Sequence, residues 1–348
     1  MGLSRLIQPD DLPGAPAFAD PYVFSENGKW FITSTYSAKS PMYMVSTLDF
    51  RNIERHTLNL DVNESYLRKH VNNPDLIARH IWGFVPYKHD DGRWHAYATV
   101  HIGGYKTFVC HFSPKDSAAW PITDWVLDKV MVGGSSQNAY ESKVYSDNTG
   151  LYLIYVETLD DGDNHIMAQK LLGPDKIDVS FTARPLLSPE GLRSEDRNPP
   201  GGMQIVEGPN IKHVVTPDGS KYVMFYAVGD FAQKNYKLAV AYSDVLIPSA
   251  GNQYQKPKAH DHSNIWRNKI PTDEIVYVLQ TQYPDWFNDA GGLLKGPGLG
   301  NLVEHENRYY VIFHALDGGQ SRGRWPWISP VAIDFTKKMD AWVTLRLP

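Results

Sequence analysis

Short stretches in which apolar and polar residues alternate dominate the chain, and helical periodicity is rare. A turn rich in Asn, Asp and Gly repeatedly precedes a strand that opens on an aromatic ring, which is the pattern of a β-hairpin. Five segments follow this pattern: Asn27–Tyr36, Asp91–Val100, Asn148–Glu157, Asp218–Val228 and Glu306–Leu316. Helical spacing of apolar residues is weak and limited to Asp61–Arg79 and Thr272–Asn288. The pattern predicts an all-β protein.

The length of the repeat indicates the architecture. The leading rings of the five strands are Trp30, Trp94, Tyr152, Tyr222 and Tyr309, at intervals of 64, 58, 70 and 87 residues. Such an interval holds a four-stranded sheet with its loops, and self-similar β units repeated along a chain are typical of a propeller. A two-sheet sandwich is the alternative, but 348 residues are too many for one and no linker divides the chain. We therefore expect a single five-bladed β-propeller domain over residues 1–348.

Composition narrows the function classes. The chain has 34 Lys and Arg against 39 Asp and Glu, a net charge of -5, which makes it a poor partner for nucleic acid or an anionic membrane. No apolar run approaches the roughly 18 residues of a membrane-spanning helix. The lone Cys110 excludes an intramolecular disulfide and a cysteine-ligated zinc site. Because the first residues lack a signal-type apolar stretch, we expect a cytoplasmic protein, or an exported one whose signal was removed.

Three of the predicted inner strands begin with a carboxylate. Asp20 precedes Pro-Tyr-Val, Glu141 precedes Ser-Lys-Val and Glu207 precedes Gly-Pro-Asn, each ahead of a hairpin turn. Inner strands of a propeller line its axis, so we expect all three to point into one funnel. The corresponding places of the other two blades hold Trp82 and the Gly-Pro-Gly sequence at 296–298. A lone acid beside Pro or Gly usually caps a solvated turn, but three in matching positions indicate a functional site.

These motifs resemble those of glycoside hydrolase family 43. The resemblance is carried by Ala19–Val23, by the pair Trp82 and Pro86, by Glu207-Gly208-Pro209 and by Gly296-Pro297-Gly298. It extends from Asp20 to about Val343, nearly the whole chain. It implies a five-bladed propeller enzyme that cleaves arabinan, xylan or galactan side chains with inversion of configuration.

The resemblance also implies a role for each carboxylate. Asp20 matches the general base that activates a water, and Glu207 matches the general acid that protonates the departing glycosidic oxygen. Glu141 matches a third carboxylate that orients the acid and keeps it protonated, although the family usually has Asp there. Inverting hydrolases hold acid and base roughly 6.5–9.5 Å apart so that a water fits between them. A neighbouring negative charge in a partly desolvated funnel keeps the acid protonated near neutral pH.

Further residues have both a functional and a purely structural interpretation. Trp82 is a candidate platform for a sugar face or a core ring, and Arg324 resembles the family's late arginine in the substrate pocket or is a surface cation. His314, in an apolar strand, is expected to be a core or supporting histidine. The cluster at 260–262 (His-Asp-His) lacks a third ligand at a recognisable spacing, so we expect a solvated loop. The family commonly has a His, often near a calcium ion, where this chain has Leu299, and we therefore expect no metal or cofactor.

The expected function is an inverting exo-acting glycoside hydrolase. It would release a terminal pentose, α-L-arabinofuranosyl or β-D-xylosyl, from a plant-type oligosaccharide or polysaccharide. One alternative is an exo-β-galactosidase acting on galactan, and another is a carbohydrate-binding propeller that has lost catalysis. The presence of both Asp20 and Glu207 favours an enzyme, because a binding protein needs no acid–base pair; Leu299 favours a lost activity. Rim loops such as Gly133–Asn138 and Asp230–Asn235 would decide between exo and endo action.

Overall fold

The computed structural model describes residues 4–37, 41–73, 75–102, 106–116, 119–133, 138–191, 202–216, 219–233, 235–257, 277–280, 294–317, 323–335 and 341–345. Within these residues the chain is built almost wholly of β-strands, with one 3-10 turn at Pro9–Asp11 and one α-helix, α1, at Glu64–His70. The all-β prediction is confirmed. No helix in this described part is long and apolar enough to cross a membrane.

The strands are numbered in chain order. The first half contains β1 (Ser4–Arg5), β2 (Tyr22–Glu26), β3 (Lys29–Thr33), β4 (Tyr36–Ser37), β5 (Met42–Thr47), β6 (Ile53–Asp61), β7 (His80–Lys88), β8 (Trp94–His101), β9 (Thr107–Pro114), β10 (Asp124–Val132), β11 (Ala139–Asp147) and β12 (Gly150–Thr158). The second half contains β13 (Asn164–Gly173), β14 (Lys176–Ile177), β15 (Arg184–Leu187), β16 (Val206–Thr216), β17 (Gly219–Val228), β18 (Lys237–Ser243), β19 (Tyr277–Gln280), β20 (Leu294–His305), β21 (Arg308–Asp317), β22 (Arg324–Phe335) and β23 (Ala341–Leu345).

Consecutive strands pair antiparallel in five groups. The first two groups, β2-β3-β5-β6 and β7-β8-β9-β10, are joined into one sheet by parallel pairing of β6 with β10, and β4 extends this sheet beside β7. The third group has the order β11-β12-β13-β14, and the fourth is β16-β17-β18-β19. In the fifth, β20, β21, β22 and β23 follow one another and β1 adds to β22. Each group is a meander of the kind that the sequence repeat predicts.

The chain divides into two compact units. One contains residues 6–159 and 167–184, which include the strands from β2 to β12; the other contains residues 1–5, 160–166 and 185–348, which include the strands from β16 to β23. The core of the first unit packs rings such as Phe84, Phe112 and Trp125 around Cys110. The core of the second unit joins its two sheets through side chains such as Phe225, Leu238 and Phe313. The expectation of one domain stays a prediction.

The hairpins begin where the turn residues predict them. Asn27 and Gly28 connect β2 to β3, with φ angles of 50° and 76°. Two consecutive left-handed residues form the type I′ turn, whose twist suits a two-residue hairpin loop. All five leading rings lie in the second strand of a hairpin, in β3, β8, β12, β17 and β21. Much of the aromatic content is therefore structural.

The two weak helical predictions have different outcomes. Glu64–His70 forms α1, whose N-cap Asn63 accepts a hydrogen bond from the backbone N–H of Tyr66 through its side chain. This satisfies one of the unpaired donors of the first turn. The prediction around Thr272–Asn288 is wrong for its described residues, because Tyr277–Gln280 forms β19 and pairs with β18. The ring and β-branched residue at its start suit a strand better than a helix.

Candidate active site

One irregularity recurs near the start of the inner strands. In β7, β11 and β16 one extra residue interrupts the pairing with the next strand, and in β20 this happens twice, so each strand carries at least one β-bulge. In three of these strands glycine adopts the left-handed conformation there, with φ of 58° at Gly83, 64° at Gly208 and 55° at Gly296. Glu141 has φ of 50° at the bulge of β11, and Asp20, just before β2, has φ of 53°.

Asp20 and Glu141 thus have the left-handed conformation at a place where β7, β16 and β20 have a glycine. A left-handed conformation is uncommon for a residue with a Cβ atom and costs of order 1 kcal/mol. Such strain persists where the surrounding structure imposes it, and it concentrates at functional sites. The conformation of Asp20 and Glu141 therefore supports the sequence-based choice of these two residues.

Glu207 differs from them by one position. The expectation that the three carboxylates match is wrong for this residue, because Gly208 takes the left-handed place and Glu207 is the last paired residue before the bulge, opposite Ala227. Its counterparts at this register are Trp82 in β7 and Tyr140 in β11. Glu207 therefore belongs with the residues that precede the bulge.

Asp20 is held by a threonine of its own sheet region. Its side chain is 8% exposed, and the Thr35 hydroxyl donates a hydrogen bond of 2.5 Å to its Oδ2. The backbone N–H of Gly83 donates to the same hydroxyl oxygen at 3.1 Å, and the N–H of Thr35 donates to the carbonyl of Ala19 at 3.0 Å. The carboxylate orientation is therefore tied to the bulge of β7. In the same way the N–H of Glu141 donates to Thr99 Oγ1 at 2.7 Å.

A buried lysine lies next to these two carboxylates. Lys143, two residues after Glu141 in β11, is only 6% exposed. Burial lowers the pKa of Lys143 to about 8, and the negative charges of Glu141 and Asp20 oppose this shift. Because charge interactions are mutual, the Lys143 ammonium favours the ionised forms of both carboxylates. This set of Asp20, Glu141 and Lys143, with Thr35, is called the charged cluster below.

Glu207 has a different environment in the other unit. It is 8% exposed, and the buried Tyr236 hydroxyl donates a hydrogen bond of 2.6 Å to its Oε1. Tyr236 lies just before β18, and its ring stacks parallel to His314 of β21, with 5.7 Å between centroids and 7° between planes. Burial disfavours a charged carboxylate, whereas the hydrogen bond from the Tyr236 hydroxyl favours it. Glu207, Tyr236 and His314 are called the aromatic cluster below.

Arg324 extends the aromatic cluster toward solvent. Its Nη1 lies 3.3 Å from Nε2 of His314. A guanidinium only donates, so this ring nitrogen accepts. The guanidinium carbon also lies 5.0 Å from the ring centroid of Phe231, which is 48% exposed. Arg324 is therefore linked to Glu207 through His314 and Tyr236, and His314, fully buried, supports this link as expected.

Leu299 does not provide a metal ligand. It is 4% exposed and belongs to an apolar cluster with Ala227 and Tyr236. In the described part of the chain, no group of three or more His, Cys, Asp or Glu side chains is arranged to hold a metal ion. The surroundings of Leu299 do not fit the central calcium that the resemblance suggests. The expectation that the protein uses no cofactor stays a prediction.

Trp82 is a half-buried ring with several aromatic neighbours. It stacks on His101 with 5.0 Å between centroids and 15° between planes, and Tyr140 meets it edge-on at 6.4 Å. Trp82 can therefore offer only part of its ring to a ligand. The cluster at 260–262 and most of the rim loop Gly133–Asn138 lie outside the described residues.

The structure divides the predicted site residues between the two units. Asp20, Glu141 and Trp82 lie in the first unit, Glu207 and Arg324 in the second. Sequence reasoning missed four residues that contact them or lie beside them: Thr35, Lys143, Tyr236 and Phe231. The signal for Lys143 was its place two residues after Glu141 in one predicted strand, although the bulge at Glu141 interrupts the regular alternation of faces. Tyr236 had none, since its partner Glu207 is 29 residues away.

Comparisons with known proteins identify the fold. No protein-family model matches the sequence, and no curated protein matches it either. Solved structures match over nearly the full length. An α-L-arabinofuranosidase from Lactobacillus brevis has 13% identity, covers 96% of this chain and 97% of its own, and gives a TM-score of 0.67.

Two further matching structures are of arabinanases, as their names state. An exo-1,5-α-L-arabinanase from a bovine ruminal metagenomic library has 17% identity, with 94% and 96% of the two chains covered and a TM-score of 0.64. A family-43 endo-arabinanase from Bacillus licheniformis has 17% identity, 96% and 99% coverage and a TM-score of 0.63. The protein therefore has the propeller fold of family-43 glycoside hydrolases, and the resemblance noted in the sequence is confirmed at the level of fold.

Proposed function

We propose that this protein is an inverting glycoside hydrolase, a divergent relative of the family-43 enzymes, with Asp20 as general base and Glu207 as general acid. The observation that carries the proposal is the contrast between the surroundings of these two carboxylates. Asp20 lies beside a buried ammonium group, which favours the anion that a base must be. Glu207 is buried in the other unit, and its removal from water favours the neutral acid.

The proposed reaction is a single displacement at the anomeric carbon. Asp20 takes a proton from a water whose oxygen bonds to the anomeric carbon, while the bond from that carbon to the glycosidic oxygen breaks. Glu207 gives its proton to the departing oxygen. After the step Asp20 is protonated, Glu207 is ionised, and the released sugar has the opposite anomeric configuration.

Glu141 acts through the charges around it. In the family that this chain resembles, the third carboxylate raises the local negative charge and orients the acid. Here Lys143 compensates part of that charge, because its ammonium interacts with both Glu141 and Asp20. We therefore infer that Glu141 also holds Lys143 in place beside Asp20.

For the substrate we propose a terminal pentose, α-L-arabinofuranosyl or β-D-xylosyl, released in an exo mode. The named activities of the similar structures include an arabinofuranosidase and an exo-arabinanase, which supports a pentose and an exo mode. An endo-arabinanase has the same fold, so the fold alone does not choose between the modes. We propose Arg324 as a group that contacts the substrate beside Glu207.

The experiment is an activity panel followed by product analysis. Purified protein is incubated with aryl α-L-arabinofuranoside, β-D-xyloside and β-D-galactoside, and the first product is followed by anomer-resolved NMR. We expect turnover of a pentoside with inversion. Turnover of the galactoside alone would favour the galactan alternative, and retention would contradict water activation by Asp20. Binding of these sugars without any turnover would favour a carbohydrate-binding propeller.

A further inference from the structure

In the aromatic cluster, the side chain of Tyr236 lies where it can hold the carboxyl group of Glu207 in one orientation. The Tyr236 hydroxyl lies 2.6 Å from Glu207 Oε1, and both side chains are buried, at 0% and 8% exposed. A tyrosine hydroxyl that donates to one carboxyl oxygen leaves the transferable proton to the other oxygen. The hydrogen bond therefore decides which oxygen of Glu207 can act as the acid.

The chain places Tyr236 through an unusually close backbone approach. Gly298 pairs with His314 across β20 and β21, and the ring of Tyr236 lies against both. A Cβ atom at Gly298 would lie 2.0 Å from Cε1 of Tyr236 and 2.6 Å from its Cδ1. Real side-chain atoms do not approach this closely, so only glycine admits the ring at this place. The second glycine of the Gly-Pro-Gly sequence thus has a defined packing function.

Further contacts, through His314 and the backbone, fix the plane of the Tyr236 ring. His314 stacks on Tyr236 at 7° between planes, and the Arg324 guanidinium donates to Nε2 of His314. The backbone N–H of Tyr236 donates to the carbonyl of Gln233 at 3.4 Å. The hydroxyl is therefore held by packing on its ring and by the backbone before it. Such packing fixes a catalytic group within the narrow range that proton transfer requires.

We propose that Tyr236, placed by Gly298 and His314, is a positioning residue that holds Glu207 in the orientation for proton donation to the leaving group. The proposal rests on Glu207 being the general acid of the proposed function. It also assigns a role to the Gly-Pro-Gly sequence in this chain: Gly298 makes space for the tyrosine that orients the acid.

The test compares substrates that need an acid with substrates that do not. The variant Tyr236→Phe is assayed on aryl glycosides whose leaving phenols range from poor to strongly activated. A poor leaving group requires protonation, whereas 2,4-dinitrophenolate departs without it. We expect kcat/KM to fall about tenfold or more on the poorest substrate, a part of the roughly 10²–10⁴-fold that a general acid contributes, and to stay within about threefold on the activated one.

Two matched controls separate positioning from folding. Tyr254 is 3% exposed and its hydroxyl donates to the carbonyl of Leu246 at 2.9 Å, so Tyr254→Phe also removes a buried hydrogen bond in the same unit. Any loss of kcat/KM in Tyr254→Phe should be the same for every leaving group. Gly298→Ala should reproduce the pattern of Tyr236→Phe. Gly300→Ala should not, because a Cβ atom there meets methyl groups of Leu238 at 2.8 Å and of Val311 at 3.0 Å rather than the ring of Tyr236.

The outcomes are distinguishable. If the wild-type protein hydrolyses none of the glycosides, the proposed function fails and this assignment fails with it. If the wild type is active and Glu207→Gln shows the leaving-group dependence but Tyr236→Phe does not, only the role of Tyr236 is overturned. An equal loss on every substrate would likewise reduce Tyr236 to a structural residue.

Discussion

The charged cluster around Asp20 and the aromatic cluster around Glu207 hold a carboxylate by different means. Asp20 is 8% exposed, and its neighbours are the ionisable side chains of Lys143 and Glu141 and a threonine hydroxyl. Glu207 is equally buried, and the hydroxyl of the buried Tyr236 donates a hydrogen bond to it. The fraction exposed is the same, so the chemical nature of the neighbours must account for any difference in proton affinity.

This difference in surroundings supports the proposed roles of Asp20 and Glu207. A base must be ionised before the reaction and an acid must be protonated, and enzymes achieve both at one pH by placing two carboxylates in opposite environments. The ammonium of Lys143 supplies the first environment, and the removal of Glu207 from water supplies the second. The comparison predicts that changes in the charged cluster alter the ionisation of the base, whereas changes in the aromatic cluster alter the dependence on the leaving group.

The largest effect is expected from removing the base. Asp20→Asn keeps the volume and an oxygen that accepts from Thr35, but it cannot take a proton from water. We expect kcat/KM to fall by about 10³-fold on every substrate. The half-buried Asp124, which accepts from Asn59 at the start of β10, provides a control in Asp124→Asn, which should retain wild-type rates. Wild-type activity in Asp20→Asn would remove Asp20 from the mechanism.

Removing the cation of the charged cluster should change the pH profile. In Lys143→Met the two carboxylates lose their compensating charge, repel each other and hold a proton up to higher pH. We expect the acidic limb of kcat/KM to move up by about one pH unit, since a nearby charge has an effect of this size. Lys143→Arg keeps the charge and should leave the limb near that of the wild type. An unchanged acidic limb in Lys143→Met would show that Lys143 does not affect the ionisation of Asp20.

Because of Lys143, the free energy of unfolding should also change with pH in the alkaline range. Burial lowers the pKa of Lys143 to about 8 in the folded protein, against 10.5 for an ordinary lysine. Between these values the unfolded chain binds the extra proton, so the free energy of unfolding rises with pH, by at most about 1.4 kcal/mol per unit. Denaturant unfolding of the wild type and Lys143→Met at pH 7 to 10 checks this. The wild type should gain relative to the variant above about pH 8; a constant difference would show that Lys143 titrates normally.

A smaller effect is expected at Trp82, which holds in β7 the register position that Glu207 holds in β16. Its ring is half-buried against His101, so Trp82→Ala removes only part of a contact surface. We expect KM to rise about fivefold, equivalent to about 1 kcal/mol, with little change in kcat. Trp30→Ala removes a similar ring that packs on Phe50, and KM should not change. Equal effects of the two variants on KM would make Trp82 a core residue only.

The fold could be predicted because its signals are local. The Asn27-Gly28 turn and the ring that follows it specify one hairpin, and each hairpin needs only its own ten residues. The strand at Tyr277–Gln280 was missed because its pairing partner β18 lies about 40 residues earlier in the chain. A short apolar run does not by itself distinguish a strand from a helix.

The candidate site was predictable only in part for a similar reason. Asp20, Glu141 and Glu207 were found by motif, but their matching positions were an assumption that Gly208 breaks by taking the left-handed place. The role of Tyr236 depends on Gly298, 62 residues later, and on Glu207, 29 residues earlier. No local pattern contains such a contact, since it exists only once two sheets pack together.

The central claim, that Asp20 and Glu207 perform opposite proton transfers, is tested most directly by one series of measurements. Asp20→Asn and Glu207→Gln are assayed on the same aryl glycosides with leaving phenols of increasing acidity. We expect Glu207→Gln to recover toward the wild-type rate as the leaving group improves, and Asp20→Asn to remain about 10³-fold below the wild type throughout. The same dependence in both variants, or recovery of Asp20→Asn alone, would contradict the assignment.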